Sequence, residues 1–241
     1  MRRGRALLGA LGIAAILSAV LTACAAPSED TAPTEDPAQT LDTDLDAAWL
    51  DGGRTVGLVT QGSSTCVPTA EGRYADGVLQ VTLTDDADGP CTADFAPRVS
   101  LVAVPDDVDP SADLAIEVSG AGYGGEVTLP GVAGLAFESP SEQVPSAGWS
   151  TAEGTFIVLL WGSSGCPESI TNAEITGDAA ITVSLSGVPD DKVCTADIVP
   201  NAQIAVVDGL GGVPDVALTL TGPAIEPFTT PILGINAASA D

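Results

Sequence analysis

The chain has 241 residues with 33 acidic and 7 basic side chains, a formal net charge of −26, and no histidine. A surface of this sign repels nucleic acid and anionic lipid headgroups, which excludes nucleic acid as a partner on electrostatic grounds. Without histidine the chain lacks the commonest general base, so Ser-His-Asp and Cys-His chemistry is excluded. The composition leaves cations, basic proteins and neutral polymers as the ligands to expect.

The N-terminal segment has the layout of a secretory signal. Arg2, Arg3 and Arg5 form a basic start, and residues 6–20 are apolar and uncharged. This apolar run is short for a membrane-spanning helix, which needs ~20 residues. Cleavage is therefore favoured over an uncleaved span with a free thiol, and we predict that residues 1–23 are a signal peptide.

The signal ends in Leu21-Thr22-Ala23-Cys24, which resembles the lipobox of bacterial lipoproteins. The resemblance implies that the Cys24 thiol receives a diacylglyceryl group and that Cys24 becomes the first residue of the mature protein. It also implies that acyl chains such as palmitate hold the protein at the extracytoplasmic face of the cell membrane. Each buried CH₂ of such a chain contributes about 0.8 kcal/mol to the anchor.

The segment after the lipobox cysteine is rich in Pro, Thr, Asp and Glu and has little apolar content beyond Ala. Such a segment cannot bury enough apolar surface to offset the entropy lost on ordering. We therefore predict that residues 24–47 carry the lipid and form a disordered, acidic tether.

The rest of the chain contains a duplication. The sequence Gly-Ser-Ser-x-Cys occurs at residues 62–66 and 162–166, and Cys-Thr-Ala-Asp occurs at residues 91–94 and 194–197. Two copies of one module explain these matches. We expect two repeats and a short linker, here called repeat 1, repeat 2 and the linker, at residues 48–136, 148–241 and 137–147.

Within each repeat, apolar residues alternate with polar ones. Residues 79–83 read Leu-Gln-Val-Thr-Leu, and residues 181–185 read Ile-Thr-Val-Ser-Leu in the same phase. A period of two is typical of strands with one buried face. About six short strands per repeat predict an all-β fold of two tandem, homologous β-sandwich domains.

One segment departs from this alternation. Residues 155–161 are apolar on both faces, whereas their counterpart at 55–60 contains Gly57 and is followed by Gln61. One face of 155–161 fills the core of repeat 2. The other face, which includes Trp161, must meet an apolar surface, supplied by repeat 1 or by a partner protein.

Four cysteines remain after Cys24: Cys66, Cys91, Cys166 and Cys194. An even number in a secreted chain indicates two disulfides. Because each repeat holds one pair, the duplication predicts the bonds Cys66–Cys91 and Cys166–Cys194. A zinc site would need Cys-x-x-Cys spacing or histidine, and the chain has neither.

The repeated motifs supply hydroxyls and carboxylates that could contact a ligand: Ser63, Ser64, Ser163, Ser164, Asp94 and Asp197. Turn chemistry favours a structural interpretation. Serine hydroxyls in such turns bond the local backbone, and an aspartate accepts backbone N–H bonds from its own turn. A nucleophilic serine is disfavoured because the chain offers it no partner base.

Two acidic runs contain the candidate metal ligands: Asp86, Asp88, Asp106 and Asp107. The first run matches part of a Ca²⁺-binding loop, but Thr84 and Phe95 stand where that loop needs carboxylates. Solvated loops on an acidic protein are the favoured interpretation. We therefore predict neither a metal site nor a cofactor.

The lipobox, the acidic composition and the repeat together resemble a bacterial lipoprotein of actinobacterial type. We expect a membrane-tethered, non-enzymatic protein that binds an envelope protein or polymer or has a structural role in the envelope. A Ca²⁺-stabilised adhesion-type module is one alternative. A hydrolase that uses carboxylates alone is another, and it would need two facing acids in a cleft.

Overall fold

The computed structural model describes residues 41–42, 45–85, 89–137, 143–189, 191–223 and 225–237. The predicted signal peptide, Cys24, Asp86 and Asp88 lie outside these ranges. Within the described part of the chain, no helix has the length and apolar character needed to cross a membrane.

The described residues form an all-β protein with seven matching strands in each repeat and one additional short strand, β1. The strands of the first part are β1 Leu41–Asp42, β2 Asp46–Leu50, β3 Thr55–Gly62, β4 Thr69–Ala75, β5 Val78–Thr84, β6 Ala96–Ala103, β7 Leu114–Gly120 and β8 Tyr123–Leu129. Those of repeat 2 are β9 Ser146–Trp149, β10 Thr155–Gly162, β11 Ile170–Gly177, β12 Ala180–Leu185, β13 Val199–Val206, β14 Ala217–Gly222 and β15 Ile225–Leu233.

The strands of each repeat form two sheets that enclose a core, which confirms the predicted pair of β-sandwiches. In repeat 1, β4, β5, β7 and β8 form one sheet, extended by β1, and β2, β3 and β6 form the other. In repeat 2 the corresponding sheets are β11, β12, β14 and β15, and β9, β10 and β13, joined by a short parallel pairing of β15 with β9. Strands β5 and β7 run parallel, because the chain between them passes through β6 in the opposite sheet. Strands β12 and β14 are parallel for the same reason, with β13 between them in the chain.

The alternation in β5 and β12 is confirmed. Leu79, Val81 and Leu83 are buried while the residues between them are exposed, and β12 buries its apolar residues in the same phase. Sequence reasoning missed β4 and β11. Strand β4 alternates only between exposed and partly buried residues, and β11 does not alternate. Each lies at a sheet edge and has no fully buried residue, so its sequence carries little apolar signal.

The strands begin earlier than the predicted domain boundaries. Asp46 and Ala47, placed in the tether by the sequence, belong to β2, and Ser146 and Ala147, placed in the linker, belong to β9. Ala47 and its counterpart Ala147 are both almost completely buried. Small apolar side chains at these positions let each first strand pack into its core, a role that composition alone did not indicate.

Strand β10 has two buried faces, as predicted. Phe156 and Val158 lie in the core of repeat 2. Ile157 and Leu159 lie in a separate cluster with Leu50 and other residues of repeat 1. The two repeats therefore pack against each other through their three-stranded sheets.

Polar contacts accompany this apolar interface between the repeats. One carboxylate oxygen of Asp46 accepts hydrogen bonds from the backbone N–H groups of Thr151 and Ala152, at 2.6 and 3.1 Å, and from the Thr151 hydroxyl. The Asp51 N–H donates to the Ser146 hydroxyl at 2.9 Å. These contacts orient one repeat relative to the other more specifically than apolar packing does.

Candidate functional site

The two predicted disulfides are present, one at the same end of each repeat. Cys66 is bonded to Cys91 and Cys166 to Cys194, with Cα–Cα distances of 5.5 and 5.4 Å. Each bond fastens the Gly-Ser-Ser turn that follows the second strand of a repeat to the loop that carries Cys-Thr-Ala-Asp.

The repeated serines, threonines and aspartates form a second connection beside each disulfide. Asp94 accepts hydrogen bonds from the backbone N–H of Ser64, at 3.2 Å, and from the Thr92 hydroxyl. In repeat 2, Asp197 makes the same contacts with Ser164 and its neighbouring threonine. Each aspartate accepts a backbone N–H bond, but the predicted place of the donor is wrong: it lies in the opposite Gly-Ser-Ser turn and not in the aspartate's own turn.

These hydrogen bonds stabilise the ionised form of both aspartates. Hydrogen bonds from the Ser64 side chain and, second in size, from the Thr92 hydroxyl lower the pKa of Asp94 from 3.8 to about 2. In repeat 2, Ser164 and Thr195 lower the pKa of Asp197 to about 2 in the same way. A carboxyl with so low a pKa is a weak base. The arrangement suits a structural link and does not suit proton transfer.

This link predicts a pH dependence of stability. Because the folded pKa lies below the unfolded value, the stabilisation is present above about pH 4 and is lost as the pH falls through about 2. The Asp94→Asn/Asp197→Asn variant should therefore melt below the wild type at pH 7, and the difference in melting temperature should shrink toward pH 2. Asp107→Asn, in an exposed turn, is the control. An unchanged difference across this range would contradict the link.

In repeat 1, a buried arginine fills the space behind the Gly-Ser-Ser turn. Arg98 lies on β6, and its guanidinium donates to the carbonyl oxygens of Ser63, at 3.0 Å, and Cys66. The same group donates to the Tyr123 hydroxyl and lies 5.5 Å from the centre of that ring. A Cβ atom on Gly62 would lie only 2.7 Å from the guanidinium carbon, so no free space remains.

Repeat 2 has different residues at the equivalent positions. Arg98 on β6 pairs with Thr60 on β3. In repeat 2, Leu160 takes the place of Thr60 and pairs with Asn201 on β13, so Asn201 corresponds to Arg98. Ile225 opens β15 where Tyr123 opens β8. Both the guanidinium and the phenol that fill repeat 1 are therefore missing from repeat 2.

A carboxylate is also added in repeat 2. The Pro68 carbonyl accepts a hydrogen bond from Ser100 at 2.8 Å, and the Glu168 carbonyl accepts the corresponding bond from Gln203 at 2.7 Å. Glu168 thus occupies the position of Pro68. Repeat 1 therefore has a positive charge, that of Arg98, behind its Gly-Ser-Ser turn, whereas repeat 2 has the carboxylate of Glu168 there.

The result is an open cavity of about 250 Å³ in repeat 2. A Cβ atom on Gly162, unlike one on Gly62, would meet nothing within 4 Å. The lining includes Trp161, Ser163, Ser164, Cys166, Glu168 and Asn201.

Two polar atoms of the cavity residues are buried without a partner. Within the described residues, five buried side-chain polar atoms lack a hydrogen bond: Thr60 Oγ1, Arg98 Nε, Trp149 Nε1, Trp161 Nε1 and Glu168 Oε1. The last two belong to residues that line the cavity. Because a buried polar atom without a partner is costly, these two atoms are unsatisfied groups inside the wall of the cavity and do not themselves face its open volume.

The acidic metal candidates do not form a site in the described part of the chain. Asp106 and Asp107 are exposed in the turn after β6. The neighbouring Asp109 accepts hydrogen bonds from the N–H and hydroxyl of Ser111, at 2.9 and 2.7 Å, as a turn-capping aspartate does. No group of three or more His, Cys, Asp or Glu side chains is placed to hold a metal among the described residues.

Sequence reasoning selected the right turn but missed the residues that distinguish its two versions. Ser163, Ser164 and Trp161 were noted, whereas Glu168 and Asn201 were not. Placing the repeats side by side would have shown the exchange of Arg98 for Asn201. Its consequence, a cavity, depends on residues from β10, from the loop that follows it and from β13, and is not visible in either residue alone.

The fold and the site define the class of protein, which is a tandem pair of disulfide-bonded β-sandwiches. The site behind the Gly-Ser-Ser turn is filled by Arg98 in repeat 1 and is open in repeat 2. Comparison with known proteins adds no family to this description, because no family model, no curated protein and no solved structure matches the chain.

Proposed function

We propose that this protein is a lipid-anchored binding protein of the extracytoplasmic face of the cell membrane, without enzymatic activity. The lipobox-like sequence that ends at Cys24 supports the anchor. The observation that supports binding is the open cavity of repeat 2, at the place that Arg98 fills in repeat 1. In this proposal, repeat 1 has a structural role and repeat 2 binds the ligand.

The chemistry around the cavity supports binding over hydrolysis. The Ser163 and Ser164 hydroxyls lie 2.7 and 3.1 Å from the Thr195 hydroxyl, which itself donates to Asp197. The carboxyl at the end of this chain has a pKa of about 2, so it cannot take a proton efficiently near neutral pH. Among the residues lining the cavity, Glu168 is the one carboxylate, whereas a carboxylate-only hydrolase uses two.

The duplication supplies a matched experiment in intact cells. A photo-crosslinking amino acid is placed either at Ser164, on the cavity, or at Ser64, the equivalent exposed position of repeat 1. After illumination, the membrane fraction is expected to contain lipid-bearing protein that starts at Cys24, with adducts only for the Ser164 position. Intact-mass measurement detects both the lipid and the adduct.

Two outcomes would count against the proposal. In a Cys24→Ser background the precursor should stay uncut and unlipidated, so normal processing with unchanged membrane association would exclude the anchor. Equal adducts from Ser164 and Ser64, or none from either, would remove the special role of repeat 2. That result would favour an envelope-structural protein.

A further inference from the structure

We infer that the cavity of repeat 2 binds a guanidinium group, presented as an arginine side chain by a basic ligand. The inference rests on the proposed binding function and names its ligand class. Repeat 1 provides the template, because there the same module already holds a guanidinium, that of Arg98, against its Gly-Ser-Ser turn.

The backbone acceptors that hold Arg98 recur in repeat 2. In repeat 1 the Cys66 N–H donates to the Ser63 carbonyl at 3.3 Å, and in repeat 2 the Cys166 N–H donates to the Ser163 carbonyl at 3.2 Å. The turn therefore has the same conformation in both repeats. Since Ser163 and Cys166 line the cavity, a guanidinium there can reach carbonyls equivalent to those that Arg98 contacts.

The charge of the site also matches a cation. In repeat 1 the filling group is itself positive and Pro68 supplies no charge, whereas in repeat 2 Glu168 adds a carboxylate to the lining of the cavity. A carboxylate accepts its strongest hydrogen bonds from charged donors. The planar guanidinium can donate to the carboxylate and to carbonyls at once, which an ammonium group does less well.

The size of the cavity favours an arginine side chain over an isolated cation. The volume of about 250 Å³ exceeds that of a single water or metal ion and admits a side chain.

The test uses the lipidated protein that starts at Cys24, in detergent, and N-acetyl-arginine amide as the probe. Binding is followed by calorimetry and by the shift of the Trp161 indole N–H signal in NMR. N-acetyl-citrulline amide has almost the same shape without the charge and should bind at least about 10-fold more weakly, because it loses a charge-assisted hydrogen bond. N-acetyl-lysine amide should also bind more weakly than the arginine amide.

Three variants complete the test. Asn201→Arg restores the residue type of repeat 1 and should abolish binding by filling the cavity from within. Asn201→Ala leaves the cavity open and should keep binding, and Glu168→Gln should weaken it by about 10-fold. Melting temperature and the dispersion of the NMR spectrum verify that each variant is folded.

Equal binding of the arginine and citrulline amides, or undiminished binding by folded Asn201→Arg, would overturn the inference. If no amide binds but crosslinking remains specific to Ser164, the ligand class is wrong and the proposed binding function stands. If no amide binds and crosslinking is not specific, both fail.

Discussion

Replacing Gly148 by alanine is expected to lower the free energy of unfolding by about 3 kcal/mol, because the first strands of the two repeats cross in close contact. A Cβ atom on Gly148 would lie 2.0 Å from the Trp49 carbonyl oxygen, well inside van der Waals contact. The obstacle is backbone, so no side-chain rotation relieves it, and β2 and β9 must move apart. Urea denaturation followed by circular dichroism measures the change.

Gly162→Ala is the matched control for this substitution. There the added methyl meets no atom within 4 Å, so stability should stay within about 1 kcal/mol of the wild type. A Gly148→Ala protein as stable as the control would contradict the close crossing of β2 and β9.

The same interface has an apolar component that can be tested separately. Ile157 is fully buried against repeat 1, and its truncation to alanine should cost about 2–5 kcal/mol. Each repeat covers an apolar face of the other. Opening the interface should therefore also increase the binding of a hydrophobic dye. An Ile157→Ala protein that is as stable as the wild type and binds no dye would contradict a stabilising role for this apolar contact.

Removing either disulfide is expected to lower the free energy of unfolding by about 3.5 kcal/mol, from the loop-closure entropy regained by the unfolded chain. The bonds span 25 residues in repeat 1 and 28 in repeat 2, so the Cys66→Ala/Cys91→Ala and Cys166→Ala/Cys194→Ala proteins should be destabilised almost equally. Urea denaturation of the two variants and the wild type, at one protein concentration, makes the comparison.

The two disulfide variants should differ in function although they match in stability. Cys166 is buried and lines the cavity of repeat 2, whereas the Cys66–Cys91 bond belongs to the filled site of repeat 1. Loss of the repeat 2 bond should weaken binding of the arginine amide, and loss of the repeat 1 bond should leave it unchanged. Equal loss of binding in both would mean that the repeats are not functionally separate.

Much of the fold was predictable because its signals are local or repeated. The alternation at residues 79–83 follows from the pleat of a strand with one buried face. The disulfide partners followed from the duplication, since each repeat offers its first cysteine one partner. The double apolar face of residues 155–161 indicated a contact between the repeats, and β10 makes that contact.

The edge strands and the domain boundaries were less predictable. Strands β4 and β11 pair along one side and have no fully buried residue, so hydrogen bonding contributes more to their formation than apolar burial does. The alanines that start β2 and β9 carry a weak apolar signal, and they are buried because neighbouring strands cover them.

By itself, the sequence determined the all-β class, the duplication, the disulfide pairing and the acidic surface, because each depends on residue spacing or composition. The difference between the repeats was decided by tertiary structure alone. Asn201 and Glu168 become a site only because strand pairing brings them behind one turn, where Arg98 in repeat 1 fills the same space. A cavity is the volume that packed side chains leave empty, and that volume depends on positions distant in the chain.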